Sequence, residues 1–162
     1  MTPEIKSKIM PDGLQISLQE KKWRQVLPNY RSLCRKAIAT VIDLKQAEVS
    51  VVLADDTFVH QLNLEYRNMD KSTNVLSFPM PFVDVPMRPM GDIVLSLDTI
   101  DREAKEQGKT FEAHLVHLLI HGALHLSGYD HISDEQAQQM EALEMEKVKS
   151  LGYPNPYEGE IR

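Results

Sequence analysis

The stretch HGALHLSGYDH at 121–131 constrains this chain more than any other part of its sequence. His121 and His125 are four residues apart, so on a helix their side chains lie one above the other on the same face. Gly128 can adopt the positive φ that ends a helix, after which the chain can turn and bring His131 back toward the other two. Three converging imidazoles with a fourth position open are the ligand set of catalytic zinc sites. We therefore predict one metal ion per chain, bound by these three histidines.

The type of ligand does not fix the metal, since neutral imidazole also suits copper, iron and nickel. Zinc proteases of the HExxH class place a general-base glutamate directly after the first histidine. Here that position is Gly122, which has no side chain. The motif therefore predicts zinc ligands without the protease base, and it leaves a zinc peptidase only as an alternative.

Length and composition indicate one soluble domain. The chain has 162 residues, of which 42% are hydrophobic, and this is enough for a single core but short for two. We predict a single domain over 1–162, with irregular tails at 1–12 and 158–162. Cys34 is the one cysteine, so no internal disulfide can form. With no signal peptide and no apolar run of membrane-spanning length, we expect a cytoplasmic protein.

The chain has a formal net charge of −6, which argues against a protein that coats nucleic acid non-specifically. An RNA-binding hypothesis must therefore name a local source of positive charge. Arg67 and Lys71 lie in a polar segment between a predicted helix and a predicted strand. The forked donors of an arginine can grip a phosphate. Composition alone favours the simpler interpretation of Arg67, an exposed charge near a helix C-terminus.

Hydrophobic periodicity predicts an α+β fold in which a small four-stranded sheet packs with about five helices. Trp23 continues an apolar stripe and is expected in the core. The predicted strands cover 13–18, 48–54, 74–78 and 91–97. The predicted helices cover about 28–42, 56–67, 98–107, the metal helix 110–126, and a last helix from 133–135 to about 152.

Four prolines fall between Pro79 and Pro89. Such a segment is expected to pair poorly in a sheet and to form no helix. Long loops in compact domains are often functional, but a plain surface crossover is an equally good interpretation.

The roles of two residues near the histidine motif are also open. His117 is either a partner of the metal site or a hydrogen-bonded, half-buried histidine, and Asp130 either orients a metal-bound imidazole or bonds the turn.

Three segments together resemble the YbeY-type endoribonucleases. They are HGALHLSGYDH at 121–131, LNLEYRNMDKSTNVLSFP at 62–79 and MGDIVLS at 90–96. Their order and spacing fit the family, and the resemblance extends from about residue 14 to 157. It implies a zinc site at His121, His125 and His131 and an important arginine at Arg67. It also implies cleavage of single-stranded RNA, notably at the 3′ end of small-subunit ribosomal RNA, and a part in ribosome quality control.

One position departs from the family pattern. Many members have aspartate where this chain has Asn74. We expect a structural role for this residue, because an amide can replace a carboxylate as an acceptor in a turn or at a strand end.

Together with this resemblance, the sequence favours a zinc-dependent endoribonuclease; the resemblance implies single-stranded RNA, ribosomal RNA and the small ribosomal subunit as its partners. Arg67 and His121 are the predicted catalytic residues, and Arg67 and Lys71 the predicted substrate contacts. The general acid or base is open between hydroxide on the metal, His117 and a group of the substrate, and attack by an RNA 2′-hydroxyl is also possible. The alternatives are a non-enzymatic ribosome-associated factor with a structural metal and a zinc peptidase.

Overall fold

The computed structural model describes residues 12–158. The tails predicted at 1–12 and 158–162 lie outside the described residues, apart from Asp12 and Glu158. The rest of the chain forms one α+β domain, as predicted. Among residues 12–158, no helix combines the length and the apolarity needed to cross a membrane.

Four strands form one mixed sheet with the order β1-β2-β4-β3. The pairs β1/β2 and β2/β4 are parallel, whereas β3 runs antiparallel to β4. The edge strand β3 therefore lies directly beside β4, and both contact the helix that carries the histidines. The strands are β1 (Gly13–Leu18), β2 (Ala47–Ala54), β3 (Val75–Pro79) and β4 (Arg88–Ser96).

Six helices surround the sheet in the described part of the chain, one more than the prediction of about five. The extra helix is a single turn that precedes Pro28 and holds Trp23 in the core, where the indole N–H donates to the carbonyl of Ala54 at 2.9 Å. The helices are α1 (Trp23–Val26), α2 (Tyr30–Ala39), α3 (Asp56–Arg67), α4 (Leu97–Gln107), α5 (Phe111–Leu126) and α6 (Asp134–Ser150).

The start of β4 differs from the prediction, which placed it at Gly91. Arg88 and Pro89 already pair with β2, and a bulge in the register follows them. Bulges tolerate proline because the ladder is locally broken there. At its other end β4 stops at Ser96, so Leu97 belongs to α4 and not to the strand. The proline-rich connection is thus shortened to residues 80–87.

Helix α5 is the centre of the fold. Ten of its sixteen residues are buried, so it is apolar around most of its circumference, as expected of a helix enclosed by other elements. It packs against β3 and β4 on one side and against α2, α4 and α6 on the others. Of the histidines on α5, His121 and His125 face the cleft, His117 contacts α6, and the buried His114 contacts α4.

Candidate metal centre

The last two turns of α5 bring His121 and His125 together. Their ring centroids are 4.6 Å apart, and the two Nε2 atoms are 3.2 Å apart. This is the outcome expected of a four-residue spacing on a helix. Both side chains are half-buried, so they face a partly enclosed space.

The turn that follows α5 has the geometry predicted for Gly128. Its φ is +102°, a backbone conformation that residues other than glycine rarely adopt. The Gly128 N–H donates to the carbonyl of His125 at 3.1 Å, and the Tyr129 N–H donates to that of Leu124 at 3.0 Å. These two bonds form a Schellman motif, which ends the helix and reverses the chain. The reversal places the ring of His131 5.1 Å from that of His125 and 5.7 Å from that of His121.

The three histidines fit a tetrahedral metal ion. One ligand atom from each lies within 4.8 Å of the other two. Two nitrogens bound tetrahedrally to zinc at about 2.0–2.1 Å would be separated by roughly 3.4 Å, close to the observed Nε2 to Nε2 distance. Burial lowers the pKa of His125, and the nearby His121 and His131 lower that pKa further. The neutral imidazole that results is the form that binds metals.

A buried carboxylate that sequence reasoning missed orients the first of these histidines. Glu144 on α6 is 1% exposed, and its Oε2 accepts a hydrogen bond from Nδ1 of His121 at 3.0 Å. Burial alone would raise the pKa of Glu144, but hydrogen bonds from His117 and His121 outweigh it and lower the pKa to about 2. An ionised partner at Nδ1 keeps the proton on that nitrogen and leaves Nε2 free to accept a metal.

The sequence does contain a signal for Glu144. Met140, Glu144 and Val148 are spaced by four along α6, and all three are buried. A glutamate in the middle of an apolar stripe requires a buried partner, because an unpaired charge in the core is very costly. The α5 histidines were the available partners.

His117 lies one turn before His121 and contacts the same carboxylate. Its Nε2 hydrogen-bonds Oε1 of Glu144, and the hydroxyl of Tyr157 donates to that oxygen as well. His117 is 12% exposed at its side chain and does not line the cleft beside the metal ligands. The interpretation as a hydrogen-bonded, half-buried histidine therefore fits, and the contact connects it to the metal site through Glu144.

Arg67 faces the three histidines across a cleft of about 380 Å³. Its Nη2 donates to the carbonyl of Ser77 at 2.8 Å, and the guanidinium lies 5.6 Å from the centre of the Phe78 ring. Arg67 is exposed at the C-terminus of α3, as composition alone suggested, and these contacts hold the end of its side chain in one place. The cleft is lined by Arg67, Val75, Leu76, Ser77, Pro79, His121, His125, Asp130 and His131.

Lys71, the second predicted substrate contact, is exposed and lies outside the residues that line this cleft. Its backbone carbonyl accepts a hydrogen bond from Asn63 at 2.9 Å, which fixes the backbone there and leaves the ammonium at the surface. Its assignment to substrate binding stays a prediction.

Asp130 does line the cleft. Its Oδ1 accepts a hydrogen bond from the backbone N–H of His131 at 2.8 Å, so its side chain stabilises the turn.

Asn74 makes a structural contact away from the cleft. Its Nδ2 donates to Oε1 of Glu103 at 2.8 Å, and the same oxygen lies 2.8 Å from Nε2 of the buried His114. The expected role as an acceptor at a strand end is performed by its backbone carbonyl, which accepts from Ser96 at 2.9 Å. The side-chain amide acts as a donor, which a carboxylate could not do when ionised.

The Cα of Gly122 faces the sheet, so a side chain at this position would meet β3 and β4 before it could reach the metal ligands. A Cβ at this position would lie 3.0 Å from Cγ2 of Ile93 and 3.2 Å from Oγ of Ser77. Helix and sheet approach so closely here that a glutamate side chain has no room. The missing protease base thus follows from packing.

Comparison with known proteins agrees with this architecture. The family model described as Endoribonuclease YbeY matches residues 15–152. Endoribonuclease YbeY of Acinetobacter baylyi is 45% identical over 157 residues, which cover 90% of this chain and 98% of that protein. A solution structure of a Thermotoga maritima protein is 30% identical and covers 91% of this chain and 96% of its own, with a TM-score of 0.55. Because the family model spans most of the sequence and the Acinetobacter baylyi protein matches nearly its whole length, the chain belongs to the endoribonuclease YbeY family.

Proposed function

We propose that this protein is a zinc-dependent endoribonuclease that cleaves single-stranded RNA. Its family supports cleavage of RNA. The observation that carries the proposal is the single cleft in which three convergent histidines face Arg67. Such a cleft places a cation-binding site beside an anion-binding site, an arrangement suited to phosphodiester cleavage.

The three histidines would hold the ion through ring nitrogens, with Glu144 fixing the orientation of His121. When bound, zinc would supply Lewis acidity and lower the pKa of water toward neutrality. The half-buried setting of His121 and His125 strengthens electrostatic interactions within the cleft relative to those in bulk water.

Arg67 would hold the scissile phosphate. The bond from Nη2 to Ser77 uses one of its five N–H donors, and the contact with Phe78 restricts the plane of the guanidinium. A donor set that is already oriented stabilises charge that develops in the transition state without reorganising at that moment. Arg67 is thus the local source of positive charge that RNA binding needs in a chain with a net charge of −6.

The engagement of His117 bears on the general base. Its Nε2 is committed to Glu144, and its ring does not line the cleft. This favours the two other candidates for the base, hydroxide on the metal and a group of the substrate. The nucleophile stays open between water and a 2′-hydroxyl of the RNA itself.

In the cell we propose that the substrate is ribosomal RNA, at the 3′ end of the small-subunit molecule, and that the protein acts in the cytoplasm with the small ribosomal subunit in maturation and quality control. The support is the resemblance of the three motifs to the family. The direct test is an RNA that carries the unprocessed 3′ end, compared with a scrambled RNA of equal length. Preferential cleavage near the mature end supports this role, and equal cleavage of both RNAs contradicts it.

The proposed activity can be separated from its alternatives in one experiment. Zinc-loaded protein is incubated with a labelled single-stranded RNA, with a duplex of the same sequence and with casein. We expect cleavage of the single strand, loss of cleavage in EDTA, and loss in His125→Ala. Casein cleavage without RNA cleavage would indicate a peptidase, and no cleavage of either would indicate a non-enzymatic factor.

A further inference from the structure

A second groove opens from the metal cleft. It has a volume of about 380 Å³, within the range of small-ligand sites, and it shares Pro79, His125 and Asp130 with the cleft. The cleft and the groove are therefore direct neighbours, with three residues that face both. The groove is lined by Pro79, Met80, Phe82, Arg88, His125, Leu126, Ser127, Gly128, Tyr129 and Asp130.

Two exposed aromatic rings distinguish this groove. Phe82 is 71% exposed and Tyr129 is 41% exposed, although large apolar side chains usually gain by burial. Met80 beside them is 50% exposed. Exposed rings in the lining of one groove offer flat apolar faces to a flat ligand.

A cation accompanies the rings. The guanidinium carbon of Arg88 lies 4.7 Å from the centre of the Phe82 ring, a cation–π contact. Arg88 thus covers part of Phe82 and adds positive charge to the lining of the groove. Exposed aromatics interleaved with arginine are the features by which proteins bind single-stranded nucleic acid through stacking.

The loop that carries Phe82 is restrained. Pro79, Pro81 and Pro86 fix their own φ angles, and each restricts the residue before it. A loop restricted in this way loses less conformational entropy when it binds a ligand. This gives the proline-rich connection a role beyond that of a crossover.

We propose that this groove binds one unpaired nucleobase of the RNA, adjacent to the phosphate held at Arg67, by stacking on Phe82 and Tyr129. The inference rests on the proposed endoribonuclease function and adds the structural source of its preference for single strands. A base in a duplex is stacked and paired and cannot enter the groove, whereas a base in a single strand can be splayed out onto the rings.

The first test is kinetic. Phe82→Ala should raise KM for a single-stranded RNA by about five- to a hundredfold, with kcat changed much less, because stacking contributes to substrate binding. Phe82→Trp should restore KM. The control is Val83→Ala, which shortens an exposed neighbour on the same loop outside the groove lining and should keep the parental KM and kcat. Zinc content should be unchanged in all variants.

The second test measures binding in EDTA, where cleavage is stopped. A series of RNA oligonucleotides carries one abasic position, which is moved along the strand. One position should weaken binding to the parent protein, and the same position should have no effect on Phe82→Ala, since its base has lost its partner.

The outcomes separate the two levels of inference. If the parent cleaves RNA while Phe82→Ala keeps the parental KM and responds to the abasic positions as the parent does, the nucleobase site is wrong and the endoribonuclease proposal stands. If the parent neither binds nor cleaves RNA, the proposed function fails, and the nucleobase site fails with it.

Discussion

Oε2 of Glu144 accepts a hydrogen bond from Nδ1 of His121 at 3.0 Å, although the two residues belong to different helices and are separated by 23 positions in the chain. The carboxylate is almost inaccessible to solvent, and His117 and Tyr157 contact its other oxygen. The orientation of the first proposed metal ligand is therefore set by α6, which supplies no ligand itself.

Replacing this carboxylate should weaken metal binding while the three ligands stay in place. We expect Glu144→Gln to lower zinc affinity about ten- to a hundredfold, because partners of ligating histidines typically contribute on this scale. Competition with a chromophoric chelator measures the affinity. The absorption spectrum of the cobalt-substituted protein should also change, because the ligand field depends on the orientation of His121.

Glu146→Gln is the matched control on the same helix, since Glu146 is 67% exposed at its side chain. It should bind zinc as the parent does. Equal zinc affinity and equal cobalt spectra in both variants would show that Glu144 has no positioning role.

The turn after α5 gives a second prediction. Gly128→Val should misplace His131, because a β-branched residue at a φ of +102° is strained by about 1–3 kcal/mol. No atom lies within 4 Å of a Cβ at Gly128, so any effect must arise from the backbone conformation and not from a clash. We expect a lower zinc affinity and a lower melting temperature.

Gly108 offers a control at the end of α4, where φ is +67° and a Cβ would also meet open space. Gly108→Val should lower the melting temperature and leave zinc binding intact. A Gly128→Val protein that binds zinc and melts like the parent would contradict the assigned role of this turn.

Arg67 gives a third prediction, because a phosphate-binding arginine and a solvated one respond differently to substitution. Arg67→Ala and Arg67→Lys should both fold and keep zinc, yet lose RNA cleavage by about a hundredfold or more. Lysine should not rescue, since a point charge cannot reproduce the fork that reaches both Ser77 and a phosphate. Single-turnover cleavage of a labelled RNA measures the loss.

Arg24→Ala removes an exposed arginine from α1 and should cleave at the parental rate. If both Arg67 variants also cleave at that rate, Arg67 is an ordinary surface charge. The acidic chain would then lack its best source of positive charge beside the histidines.

Asp56 provides a prediction for acid stability. Burial alone would raise the pKa of Asp56, but hydrogen bonds outweigh it and lower the pKa from 3.8 to about 2. Because the pKa is lower in the folded state, Asp56 stabilises the fold above about pH 4, and this contribution is lost as the pH falls toward 2. The donors are Ser72, Ser96, Thr99 and Arg102.

We therefore expect Asp56→Ala to lower the free energy of unfolding at pH 7 by about 1–3 kcal/mol and to flatten its decline below pH 4. Urea unfolding at a series of pH values measures both effects. Asp84→Ala, which removes an exposed carboxylate from the β3–β4 loop, is the control. An unchanged acid profile in Asp56→Ala would contradict the prediction.

Local sequence predicted those parts of the site that depend on short-range geometry. The spacing of His121 and His125 and the positive φ of Gly128 follow from helix periodicity and turn chemistry, and the structure has both. Glu144 was missed because its role depends on the packing of α6 against α5. The contact between Arg67 and the Ser77 carbonyl could not be predicted, because it depends on where β3 pairs in the sheet.

The same division holds for the fold. Strand and helix types followed from periodicity, and five of the six helices lie where the pattern placed them. The start of β4 at Arg88 depends on its pairing with β2, a contact with a strand some forty residues away, which a local pattern cannot contain. The prediction assigned Leu97 to β4, but Ser96 is the N-cap residue and the last one with an extended backbone, so Leu97 is the first residue of α4.

The close approach at Gly122 has a consequence for the width of the cleft. Ser77 faces Gly122 through its Oγ and holds Arg67 through its carbonyl oxygen. The distance between the imidazoles and the guanidinium therefore depends on how closely the backbone of α5 approaches β3. A side chain at 122 would press on Ser77, which lines the cleft, and would push these two surfaces apart, so the distance between the imidazoles and the guanidinium would change.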